Sequence, residues 1–209
     1  MISLAKIFGK SDRFFTLLED SAKSAHDSIH ALEKLLHSTD SQVCLAELAV
    51  ARRHEKRTAE LISEELIQTF VTTLDREDIE ELSRALYSIP KTVEKFGERY
   101  EIAHHLVESK DFAAQMTVAR EVAAIVLNMV AMLSKSPKVE EIKAQNDLMQ
   151  ELEDRADAII LEKIKGIYTT SMDPFRAMAL RDLYDLLEKV IDRCRDAANV
   201  VTLIVLKNS

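Results

Sequence analysis

Chain breakers are almost absent from this sequence: three glycines and three prolines in 209 residues, about 3 % against the roughly 12 % of an average protein. Glycine-rich phosphate loops, β-sandwiches with a turn every ten residues and disordered or collagen-like chains all need punctuation that is missing here. What remains is a chain of long helices. Apolar residues recur at Phe14, Leu18, Ala22, Ala25, Ile29 and Leu32, the spacing of one helix face. The expected fold is all-α, an elongated bundle of six long helices.

The few polar clusters and prolines set the expected boundaries. Ser11-Asp12 offers an N-cap, so the first helix is expected from about 12 to 37. Ser38-Thr39-Asp40-Ser41 starts a second helix that Thr72-Thr73-Leu74-Asp75 ends. Asp75 caps the third, in which Pro90 removes one backbone bond and bends rather than stops the helix. A weakly charged fourth helix is expected over 111–134, a fifth from Ser136-Pro137 to about 168, and a sixth from Asp173-Pro174 nearly to the end.

Charge and membrane patterning narrow the function classes. With 28 Lys and Arg against 36 Asp and Glu, the formal net charge is −8 and Trp is absent. Such a chain lacks the basic face that replaces counterions on nucleic-acid phosphates. Cys44 and Cys194 match no CxxC or secreted framework, which suits reduced thiols in a cytoplasmic protein. Lys6 and Lys10 interrupt any N-terminal export signal. The longest apolar run, Val122 to Leu133, would reach only about 18 Å as a helix, short of a bilayer's roughly 30 Å. No transmembrane segment is expected.

Shifting the second half onto the first by 98 residues aligns Glu55 with Glu153, Phe70 with Tyr168, Thr72 with Thr170, Asp75 with Asp173, and Glu94 with Asp192. One ungapped shift serves both long helices. It predicts two tandem three-helix repeats within one domain, approximately 12–108 and 110–206.

The residues that carry chemistry are paired carboxylates. Glu153 and Asp157 form one E-x-x-x-D motif and Glu188 and Asp192 another, each placing two acids one turn apart on a helix face. Acids beside an apolar stripe repel unless a cation separates them. Four such oxygens across two antiparallel helices would suit a hard divalent or trivalent cation. The bland alternative is a solvated helix edge paired with Lys and Arg.

The same residues lie in the stretches that carry a resemblance. Phe14-Phe15-Thr16-Leu17-Leu18-Glu19, the run from Thr69 through Asp75 to Ile79, and Leu183-Tyr184-Asp185-Leu186-Leu187-Glu188 through Asp192-Arg193-Cys194 resemble the PhoU-like family. The similarity is to its PhoU-divergent branch, formerly DUF47, described as accessory proteins of low-affinity (Pit-type) phosphate transporters. The resemblance covers nearly the whole chain. It implies a duplicated three-helix bundle in which E-x-x-x-D motifs hold iron, zinc, nickel, magnesium or another divalent or ferric ion. Carried over by motif, the metal residues are Glu153, Asp157, Glu188 and Asp192. The first half departs from the pattern, with Ala59 and Pro90 at the places of Asp157 and Glu188, leaving only Glu55 and Glu94 as a weaker site.

Other constellations point elsewhere or nowhere. Glu101 and His104 form a single E-x-x-H with no second copy, unlike di-iron bundles, which use two. The cluster Arg52, Arg53, Lys56 and Arg57 could meet phosphate, though a solvated helix face explains it more simply. Nothing pairs a nucleophile with a base. The function that the resemblance implies is a non-enzymatic, cytoplasmic regulator of phosphate transport at the inner face of the membrane. Its expected partner is a low-affinity phosphate transporter or phosphate-signalling protein, and a homo-oligomer is open to it. The rival is a metal-free structural helical adaptor unrelated to phosphate.

Overall fold

The structure, a computed structural model, describes residues 4–38 and 41–208, with side chains from Arg13 onward except that of Ser41. Six α-helices follow one another: α1 (Leu4–His37), α2 (Ser41–Gln68), α3 (Arg76–Ala103), α4 (Ala113–Leu133), α5 (Val139–Thr169) and α6 (Pro174–Lys207). Two short 3-10 turns, His104–Leu106 and Ser109–Asp111, link α3 to α4. No strand occurs among the described residues. The 34-residue helices α1 and α6 extend about 51 Å each, so the bundle is elongated as expected.

Helices α1, α2 and α3 pack on one another, as do α4, α5 and α6, while α1 runs along α4 and α3 along α6 to join the two sets. The expected apolar stripe fills the core: Leu18, Ile29 and Leu32 of α1 meet Leu82, Leu86 and Phe96 of α3 and Val122, Met129 and Leu187 of the second set in one buried cluster. Gly97 permits the tightest approach. A Cβ there would lie 2.6 Å from Leu48 Cδ1 and 3.2 Å from Leu45 Cδ2, so α3 can lie close against α2 only with a bare Cα.

Several boundaries differ from the expectation. Helix α1 continues through Ser11-Asp12 to Leu4, since no proline in the preceding residues interrupts the hydrogen-bond ladder. Thr39 and Asp40 of the expected α2 cap lie outside the described residues. Helix α2 ends at Gln68, because the Arg76 guanidinium donates to the carbonyls of Leu66 and Thr69 and captures the chain there. Asp75 occupies the α3 cap position without a side-chain bond, whereas Asp173 accepts from the Arg176 backbone N–H at 3.0 Å. Helix α3 continues through Pro90. Helix α5 begins two residues after Pro137, following a turn in which Ser136 adopts φ 50°.

Length alone does not set α4 apart from a membrane span. Helix α4 has 21 residues and is long and apolar enough to cross a bilayer by length and composition, because small residues such as Ala113 and Ala119 extend the apolar run toward the N-terminus. Its neighbours explain that composition: α1, α5 and α6 surround it, and Val118, Ala119, Val122 and Val126 are buried among them. A helix enclosed by three others is apolar nearly all round.

The connector between the two helix sets is clamped twice. The Phe112 ring meets Phe96, Tyr100 and Tyr184 nearly edge-on at centroid distances of 5.5, 6.3 and 5.6 Å. Arg176 donates to the Leu106 carbonyl and to Asp111 Oδ2, the latter at 2.9 Å. Arg176→Ala should therefore cost about 2 kcal/mol, in the range for hydrogen bonds to charged groups. Amide exchange over 104–112 should quicken with it. Unchanged exchange and an unchanged urea midpoint would show that the clamp contributes nothing.

Candidate functional site

The second-half carboxylates lie where α5 packs on α6. Asp157 of α5 is close enough to both Glu188 and Asp192 of α6 to disfavour their charged forms. Partial burial is the first cause of the upward shift in each. For Glu188, Asp192, Asp157 and Asp185 add repulsion, against relief from Lys189. For Asp192, Asp196 and Asp157 add it, against Arg193 and Lys189. A partly compensated acidic edge results, one that gains from a further cation brought against it.

Glu153, the fourth expected residue, has a different fate. It is buried at 7 % exposure, ion-paired with Arg195 of α6, and accepts from Gln150 Nε2 at 2.9 Å. No group of three or more His, Cys, Asp or Glu among the described residues is arranged to hold a metal ion. The four carboxylates are therefore not gathered into one cage: Glu153 is ion-paired with Arg195, while Asp157 is near enough to Glu188 and Asp192 to push their pKa values up.

The first-half pair is also committed. Glu94 pairs with Arg52 at 3.9 Å, and Arg52 stacks its guanidinium 3.8 Å from the centre of the Tyr87 ring. Glu55 is fully buried. Ser21 Oγ donates to its Oε1, while Oε2 has no partner. Its pKa is pushed up to about 8, chiefly by burial, with Asp20 adding to the rise and the Ser21 bond and Arg52 opposing it. Glu55 is thus held as the neutral acid at neutral pH.

The two halves solve one problem in opposite ways. In the 98-residue register Glu55 corresponds to Glu153. In the first half burial outweighs the opposing charge of Arg52 and raises the Glu55 carboxyl to about 8. In the second half Glu153 is ion-paired with Arg195. Nothing in the spacing of carboxylates announces Arg195.

The other sequence candidates resolve into ordinary contacts. His104 Nδ1 lies 2.7 Å from the Glu101 carbonyl in an exposed turn, so Glu101 and His104 form no chelating pair. Lys56 and Arg57 pair with Glu60, and Arg57 also with Glu64. With Arg52 drawn inward onto Tyr87, the basic cluster is dispersed. Burial pushes the Cys194 thiol up to about 12, which suits an inert reduced cysteine.

No protein-family model matches the chain. It is 24 % identical over 204 residues to UPF0111 protein YkaA of Bacillus subtilis, covering 96 % of this chain and 98 % of that one. It is 27 % identical over 218 residues to a protein provisionally named a pit accessory protein in Rhizobium meliloti, covering 97 % of each. Two crystal structures from Shewanella oneidensis MR-1, one of a PhoU-like protein and one described as a PhoU-like phosphate regulatory protein, superpose with TM-scores of 0.82 and 0.75. Sequence identities are 12 % and 14 %, over 93 % of this chain and 99 % of each of theirs. The PhoU-like resemblance read from the sequence stands, and with it the all-α fold.

Proposed function

We propose that this PhoU-like chain is a non-enzymatic accessory protein of phosphate transport that acts by contact with a Pit-type transporter at the cytoplasmic face of the membrane. The observation that carries the reading is the similarity, over 97 % of each chain, to the Rhizobium meliloti protein provisionally named a pit accessory protein. The acidic edge supports it. Asp157, Glu188 and Asp192 repel one another, and cytoplasmic loops of membrane proteins are enriched in Lys and Arg. A basic loop laid on that edge would relieve the repulsion, and the association would weaken as salt screens it.

Deletion of the gene should change phosphate uptake, and Asp157→Lys/Asp192→Lys should reproduce part of the change while leaving the circular dichroism spectrum intact. These positions are chosen because Glu153 is buried against Arg195 and its reversal would unfold the protein. Pull-downs should recover the transporter at low salt with the parent chain and lose it with the double variant. Unchanged uptake at both low and high external phosphate, with no transporter recovered, would overturn the reading. The structural adaptor is the second reading, favoured by Phe70, Tyr168 and Phe175, which are exposed at 98 %, 72 % and 70 %. Self-association lost on replacing these residues with Ser, with uptake unaffected, would support it.

A further inference from the structure

A pair of histidines on the edge of α1 lies outside everything described above. His26 and His30 are one helical turn apart, and their Nε2 atoms face each other at 3.3 Å. Behind each ring stands a carboxylate. Asp27 Oδ1 is 3.4 Å from His26 Nδ1, and Glu33 Oε2 is 3.9 Å from His30 Nδ1. Glu33 is itself held from α4 by Arg120, 3.3 Å from its other oxygen.

We propose that His26 and His30 form a two-histidine chelate for a divalent transition-metal ion, with zinc the ion whose geometry it fits best. Zinc bonds imidazole nitrogen at about 2.05 Å, and two nitrogens 3.3 Å apart then subtend about 107° at the metal, close to its tetrahedral angle. A right-angled pair of positions would need them about 2.9 Å apart. Asp27, 3.4 Å from His26 Nδ1, suits the arrangement that orients metal-binding histidines, in which the far ring nitrogen donates to an acid and the near one keeps its lone pair for the metal, while Glu33 at 3.9 Å adds only its charge beside His30. Before binding, the two Nε2 atoms share one hydrogen. On binding, both rings take the Nδ1–H tautomer toward Asp27 and Glu33, both Nε2 lone pairs bind the ion, and no proton need leave a neutral pair.

No third protein ligand joins them among the described residues, so water or an exogenous ligand completes the coordination. Such an open site differs from a closed structural one. The chelate shares no residue with the α5–α6 acidic edge and does not rest on the phosphate-transport reading.

The test uses full-length protein freed of any affinity tag, titrated with zinc chloride by calorimetry, and with cobalt(II) as the spectroscopic probe. One ion per chain should bind at this site, cobalt should give visible bands of tetrahedral intensity, and His26→Ala or His30→Ala should each weaken binding at least tenfold and abolish those bands. Both histidines lie at the helix surface, so circular dichroism should be unchanged. Asp157→Asn/Asp192→Asn should leave binding intact. The proposal is overturned if neither histidine variant alters zinc affinity or the cobalt spectrum, or if binding is lost only in the carboxylate variant.

Discussion

Glu55→Gln is expected to remove most of the pH dependence of stability between about pH 4.5 and 8. Burial raises the folded-state pKa of Glu55 from its ordinary value of 4.5 to about 8, so folding takes up a proton throughout that window. A group of this sign contributes its full stability below the unfolded-state value and loses it as pH rises through the folded-state one. At about 1.4 kcal/mol per pH unit the ionised acid costs on the order of 4 kcal/mol by pH 9. The amide keeps the acceptor that Ser21 Oγ uses and has no charge to lose, although its second donor goes unmatched at a cost of about 1 kcal/mol. The variant should thus be slightly the less stable at pH 5 and the more stable by about 2–4 kcal/mol at pH 9. Urea unfolding across this range measures both. Parallel curves for parent and variant would show that Glu55 does not titrate there.

Phe112→Ala should destabilise the protein by about 3–5 kcal/mol, the usual cost of deleting a buried aromatic ring. The side chain is fully buried and belongs to the connector, yet its ring touches Phe96 and Tyr100 of α3 and Tyr184 of α6. Its loss leaves a cavity between helices from both sets, and edge-on aromatic pairs add about 0.5–1.5 kcal/mol beyond burial. Phe112→Leu, which keeps most of the volume, should cost distinctly less. Denaturant midpoints at constant slope report the difference. A loss under 1 kcal/mol in Phe112→Ala would mean that the connector only passes over the core.

Much of the architecture was legible because helices are local objects. The stripe from Phe14 to Leu32 and the breaker at Asp173-Pro174 act within a few residues, and α1, α4 and α6 carry them as read. Some ends were misread locally, as at the starts of α1 and α5, and others because a group beyond the helix intervenes. Helix α2 stops at Gln68 because Arg76, seven residues beyond Thr69, takes its carbonyls. Likewise, the composition of α4 reads as membrane-like until three neighbouring helices account for it.

The candidate site divides along the same line. The sequence by itself determined which carboxylates share a helix face, Glu153 with Asp157 and Glu188 with Asp192, and that His26 and His30 lie one turn apart, since 3.6 residues per turn places them. Only the tertiary structure decided their chemical states. Arg195 reaches Glu153 across the α5–α6 contact, the charge of Asp157 disfavours ionisation of Glu188 and Asp192, and Glu55 is enclosed beside Ser21, where burial outweighs the charge of Arg52. Ionisation depends on desolvation and on charges a few ångströms away. Those neighbours come from other helices, and the rotation and depth at which two helices pack is a sum over their whole interface that no local spacing records.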